Sequence, residues 1–192
     1  MSERGVICFG LDESNHAGEN RKGEIVVCTY SYDIEDSKKR KFPNTRNFSK
    51  LQKWLSEEGH GHRFTLLTGE NYRCQSSAIN LTETAPRLIE EILTDPKNPY
   101  PIPDTLKIYF DGGGFKREQR EYLRDYFKEL GFKQVIVDNF IKKKGSKNRK
   151  VGKGRFRKGP ECPGVLYMAD VLANHLHNTT TGEVLANPNF VT

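Results

Sequence analysis

Short apolar runs that stop on an acid recur along this chain. Val6, Ile7 and Phe9 lead to Asp12-Glu13, Leu106 to Phe110 lead to Asp111, and Val135 to Val137 lead to Asp138. Branched and aromatic residues in runs of this length predict buried strands that deliver carboxylates to their own carboxyl ends. Residues 24–32 and 64–68 predict two more strands, the first forming a hairpin with the opening strand through the turn formers that follow Glu13. Residues 33–46, charged and polar with Pro43, read as a loop. Spacings of three and four mark the helices. Phe48, Leu51, Trp54 and Leu55 predict a short one that stops at Gly59. Ile79, Leu81, Ala85, Leu88, Ile89, Ile92 and Leu93 predict a second, ended by Asp95-Pro96, with Pro86 placing its regular part from about Thr84 onward. Tyr122, Tyr126, Phe127 and Leu130 predict the apolar side of a third, ended by Gly131. Val165, Met168, Leu172 and Leu176 predict that of a last helix over residues 165–177. The resulting order predicts an α/β fold with a mixed five-stranded sheet covered by helices.

At 192 residues and 35% hydrophobic content the chain can bury one substantial core, so a single domain over residues 1–192 is expected. No apolar run approaches the length that crosses a bilayer and no apolar leader opens the chain, so a cytoplasmic protein without a membrane partner is expected. Cys8, Cys28, Cys74 and Cys162 are scattered without a C-x-x-C pair, which argues against a zinc ribbon or a disulfide framework. Cys8 and Cys28 fall in strand runs and read as buried thiols. His60 and His62 flank a glycine with no third ligand nearby in sequence and are not read as a metal site.

Charge adds a partner to the picture. The formal net charge is +6, and ten of the Lys and Arg residues fall in one acid-free segment: Lys142, Lys143, Lys144, Lys147, Arg149, Lys150, Lys153, Arg155, Arg157 and Lys158. A smaller cluster, Lys38-Lys39-Arg40-Lys41, precedes Pro43. Clustered cations point to a polyanion, most simply nucleic acid. The long segment has three glycines and almost no apolar content, so a basic, mobile insertion at about 142–160 is expected. Phe156, between two arginines, suits stacking on a base. A solvated, self-repelling loop is the alternative.

The candidate chemistry lies in the acids. Asp12 and Asp111 close two strands, and Asp170 lies with Asn174 and His177 at i, i+4 and i+7 on a polar stripe of the last helix. Hard cations take oxygen ligands, and rigid strand tips hold such ligands in place. A solvated turn at Asp12-Glu13 is the plainer reading of that stretch alone. Three glycines after Asp111 permit a sharp turn and close approach of a ligand, and the missing Gly-Lys-Ser/Thr argues against a P-loop.

In this order of elements the chain resembles the ribonuclease H-like fold, in which carboxylates on the first strand, the fourth strand and the last helix meet to hold two metal ions. Asp12, Asp111 and Asp170 stand at those three places. Asp12-Glu13 resembles the Asp-Glu that opens ribonuclease HII. A closer likeness is to a ribonuclease H-like family that begins Tyr-Ile-Asp-Glu-Ser-Gly and ends in a Gln-Leu-Ala-Asp-Leu-Ile-Ala helix. Here those segments read Gly10-Leu11-Asp12-Glu13-Ser14-Asn15 and Tyr167-Met168-Ala169-Asp170-Val171-Leu172-Ala173, and Val137-Asp138-Asn139 matches that family's Val-Asp-Ser. The last helix is also similar to a stretch of Argonaute Piwi domains. Asn15 and Tyr167 depart from the family pattern, and the Gly-Arg-Gly of ribonuclease HII is absent after Glu13.

The resemblance implies a nuclease that hydrolyses phosphodiester bonds of RNA, DNA or their hybrid with two Mg2+ or Mn2+ ions, held by Asp12, Asp111, Asp170 and Glu13. Asp138 or Glu83 is a further candidate ligand, and His16 or His177 a candidate proton shuttle. The rival expectation is a non-catalytic nucleic-acid-binding module on the same scaffold. A toxin- or defence-type component acting with a protein partner is a third.

Overall fold

The computed structural model describes residues 5–14, 23–42, 47–68, 77–111, 116–140 and 161–179. In chain order these form β1 (Val6–Ser14), β2 (Gly23–Ser31), a 3-10 turn (Ile34–Ser37), β3 (Lys39–Lys41), α1 (Phe48–Leu55), β4 (His60–Thr68), α2 (Ser77–Leu93), β5 (Thr105–Asp111), α3 (Arg117–Glu129), β6 (Gln134–Phe140), β7 (Glu161–Pro163) and α4 (Gly164–Thr179). Five strands make one mixed sheet in the order β4-β2-β1-β5-β6. β2 runs antiparallel to both β1 and β4, whereas β1, β5 and β6 run parallel. This is the mixed five-stranded α/β architecture read from the hydrophobic pattern, and it is consistent with a ribonuclease H-like fold. Among the described residues no helix is long and apolar enough to cross a membrane.

Side chains alternate across a strand, so β1 serves two cores at once. Ile7, Phe9 and Leu11 join Leu81, Leu88 and Ile89 of α2 and Leu123 and Phe127 of α3 on one face. Cys8 joins Leu51 and Trp54 of α1 and the buried side of α4 on the other. Burial of a Leu, Ile or Phe contributes about 1.5–3 kcal/mol. The two central parallel strands are therefore anchored from both faces, and their carboxyl ends are held rigidly.

Several expectations need correction. α2 starts at Ser77 and passes through Pro86, about two turns before the expected start at Thr84, because Leu81 and Ala85 pack into the core and offset the backbone hydrogen bond that proline removes. In α3 the buried residues are Leu123 and Phe127, whereas Tyr122 and Leu130 are each 52% exposed. The sheet-facing row thus runs through Leu123, one position beyond Tyr122. α4 is buried on nearly every side from Val165 to Ala173 rather than along one stripe, and Asp170 is half-buried within it. Residues 33–46 are not simply a loop: Lys39–Lys41 pairs antiparallel with Glu161–Pro163 in a two-stranded ribbon. Helices α1 and α3 are followed, as read, by Gly59 and Gly131 at positive φ. The basic insertion at 142–160 lies outside the described residues.

Candidate metal centre

Asp12 lies two residues beyond Gly10 on β1 and shares its face, the one that carries α4. Leu11 pairs with Phe110 in the parallel β1–β5 ladder, so Asp12 and Asp111 sit side by side at the carboxyl ends of neighbouring strands. Gly10 decides how close α4 comes. A Cβ there would lie 2.5 Å from the Val165 carbonyl oxygen and 2.7 Å from Leu166 Cα, so the helix backbone rests on the strand backbone. The fully buried Thr29 on β2 donates from its hydroxyl to that same Val165 oxygen at 2.7 Å. From this contact Asp12 is two strand residues further, about 6.5 Å, and Asp170 is four helical residues beyond Leu166, about 6 Å. The matched advances bring the two carboxylates level.

The result is a group in which ligand oxygens of Asp12, Asp111 and Asp170 all lie within 4.8 Å of one another. Asp12 is only 5% exposed, and its Oδ1 accepts the Glu13 backbone N–H at 2.9 Å. Like charges this close repel by about 1–4 kcal/mol per pair, depending on how much water screens them. A bound divalent cation reverses the sign of that term. Three carboxylates with no nitrogen or sulfur ligand are the donor set of a hard cation. The group can hold a metal ion.

Neither family models nor curated proteins match this chain in comparison.

The site has an aromatic and basic flank. Phe140 is the register partner of Asp111 on β6 and therefore points to the same face. Its ring meets Tyr109 edge-on, and Lys39 Nζ lies 4.7 Å over its centroid. Phe42, just after β3, stacks on Tyr167 of α4 with ring centroids 4.0 Å apart. Burial pushes the Tyr109 hydroxyl up to about 12. Burial, then the neighbouring Asp170 carboxylate, also raises Tyr167. Both phenols stay protonated near neutral pH and are poor candidates for a general base.

Other sequence candidates are placed differently. Glu13 pairs with Val26 across β1 and β2, and Val26 belongs to the core under α2, so the Glu13 side chain leaves the strand on the face opposite Asp12. Asp138 shares the Asp111 face but pairs with Tyr109, one strand repeat back, and is exposed. Asn174 is half-buried one turn beyond Asp170, His177 is exposed a turn further on, and Glu83 is exposed on α2. His16 and all the cations from Lys142 to Lys158, with Phe156, lie outside the described residues.

His60 belongs to a different cluster, one the sequence reading missed. Its Nε2 is 2.9 Å from Asp36 Oδ2, which also accepts Trp54 Nε1–H at 2.8 Å, while Arg40 donates to Asp36 Oδ1 at 2.6 Å. Burial pushes His60 down, but the hydrogen bond and charge of Asp36 outweigh it and the net shift is upward. Burial likewise opposes ionisation of Asp36, and the hydrogen bonds from His60, Trp54 and Ser31 prevail to lower it. This ion pair abuts Gly164 at the start of α4, where an added Cβ would lie 2.5 Å from Asp36 Oδ1.

Proposed function

We propose that this protein is a divalent-metal-dependent nuclease with Asp12, Asp111 and Asp170 as its metal ligands. The observation that carries the reading is their convergence: three acids from two strands and a helix, far apart in sequence, meet at one point. Two Mg2+ or Mn2+ ions bound there would supply an activated water and charge neutralisation at the leaving oxygen of an in-line displacement. The chain's own part is positional. β1 and β5 fix two carboxylates on a doubly packed sheet, and α4, seated on Gly10 and held by Thr29, brings the third. Asp138, one strand repeat back on the Asp111 face, is a further acid beside the group. The cations of 142–158 fit a phosphodiester polyanion as substrate.

Cleavage of labelled RNA, DNA and hybrid, with Mn2+ and with EDTA, tests this reading. The wild type is expected to cut at least one of them only with metal, and purified Asp12→Asn or Asp170→Asn to lose that activity while keeping the far-UV spectrum of the folded chain. Wild-type rates in Asp12→Asn would overturn it. Tight binding without cleavage would favour the non-catalytic module.

A further inference from the structure

We propose that Lys39 and Lys41 of β3, with Phe140 as their positioning residue, form a ledge that receives the sugar-phosphate backbone of a polynucleotide strand beside the acid group. This inference rests on the nuclease reading for its substrate class, and on separate residues for its location. The four cations before Pro43 are not equivalent once β3 forms. Lys38 is spent on Glu35 at 2.5 Å, and Arg40 points the other way, to Asp36 at 2.6 Å against the start of α4. Strand alternation leaves Lys39 and Lys41 on a common face of an exposed strand. Among the described residues neither has an ion-pair partner, Glu161 opposite Lys41 included. Two strand residues separate them by about 6.5 Å, comparable to the step between successive phosphates on one nucleic-acid strand.

Phe140 joins this ledge to the site. It neighbours Asp111 in the β5–β6 ladder, and its ring lies under the Lys39 ammonium at 4.7 Å. A cation over an aromatic face is held by the ring quadrupole without losing its charge. Lys39 is thus fixed one residue pair away from an acid ligand and remains able to meet an anion. Carboxylates repel phosphate, so a strand drawn to the acid group needs fixed cations at its rim, and the ribbon supplies them from the side on which Asp111 stands. The ribbon's other strand, β7, is also where the chain re-enters the described structure after the basic segment.

The test uses the full chain and fluorescein-labelled single-stranded oligonucleotides of two unrelated sequences, titrated in EDTA over a range of KCl. Lys39→Gln combined with Lys41→Gln is expected to weaken both equally and to reduce the slope of log K against log salt by about 1.4, since each phosphate contact on a single strand contributes about 0.7. Mn2+ affinity measured by calorimetry is expected to stay at the wild-type value. Phe140→Leu keeps both charges, so its slope is expected to remain while binding weakens, and the loss is expected to vanish in a Lys39→Gln background, because the ring acts through that lysine. An unchanged slope in the double variant, or a Phe140→Leu effect that simply adds to that of Lys39→Gln, would overturn the ledge. So would a wild type that binds neither oligonucleotide. Binding with the expected slope changes but without metal-dependent cleavage would leave the ledge standing and overturn the nuclease reading. Cleavage with an unchanged slope would do the reverse.

Discussion

Gly10→Ala is the smallest change that should dismantle the site without touching an acid. The new methyl would meet Val165 O at 2.5 Å, Val165 C at 2.6 Å and Leu166 Cα at 2.7 Å, all backbone atoms of α4, where ordinary contact begins at 3.4 Å. The helix must therefore withdraw by about 1 Å, a displacement that overpacked cores resist at about 1–3 kcal/mol. Replacing glycine recovers about 0.4–1 kcal/mol through the stiffer unfolded chain. The net loss is about 0–2.6 kcal/mol, which for a domain of this size lowers Tm by up to about 10 °C. Asp170 rides on the same helix, so it retreats from Asp12 and Asp111 by a similar distance. Misplacement by about 1 Å in a reacting geometry costs on the order of 100-fold. Thermal unfolding and Mn2+ calorimetry on Gly10→Ala read the two effects separately. Wild-type Tm and Mn2+ affinity in this variant would refute the seating of α4 on β1, and lost stability with intact Mn2+ affinity would refute its role in placing Asp170.

Thr29→Val keeps the shape of a buried side chain and removes its hydrogen bond to Val165 O, so the urea midpoint is expected to fall by the equivalent of about 1 kcal/mol with unchanged far-UV signal. The Asp36–His60 pair predicts a pH dependence with a definite sign. His60 titrates above 6.5 in the folded chain, so its contribution is complete below 6.5 and is lost as pH rises through the folded value. Asp36 titrates below 3.8, so its contribution is complete above 3.8 and is lost as pH falls through the folded value. Urea midpoints measured from pH 5 to pH 9 are expected to decline in the wild type through a component absent from His60→Gln, and identical profiles would contradict the pairing.

What could be read in the sequence was what is local. Apolar runs closing on Asp12 and Asp111 signal strands through their own composition, and the polar stripe through Asp170 follows from helical period, so the strands of the main sheet, the helices and all three acid settings needed no tertiary information. Glu13 shows the limit of reading by proximity. Adjacent residues on an unbroken strand face opposite ways, and β1 stays a strand through Ser14, which separates Glu13 from Asp12. The parity was present in the pattern, but only the pairing with β2 shows that no bulge resets it. A glycine inside a β run is a sign of close backbone approach, and Gly10 carried that sign without naming α4 as what approaches. The β3–β7 ribbon and the Asp36–His60 pair were illegible for another reason. Lys39-Arg40-Lys41 has no apolar alternation and finds its partner at residues 161–163, while Asp36 meets His60 and Trp54 only once β4 and α1 have packed.

The central claim is that Asp12, Asp111 and Asp170 together bind divalent cations, and titration calorimetry with Mn2+ on metal-stripped protein tests it most directly. The wild type is expected to bind with a saturable heat that is lost in Asp12→Asn and Asp170→Asn, and Glu13→Gln, altered on the opposite face of the strand, is expected to weaken binding less than Asp12→Asn. No saturable Mn2+ binding by a wild type that is fully folded, or binding that survives Asp12→Asn unchanged, would contradict the account.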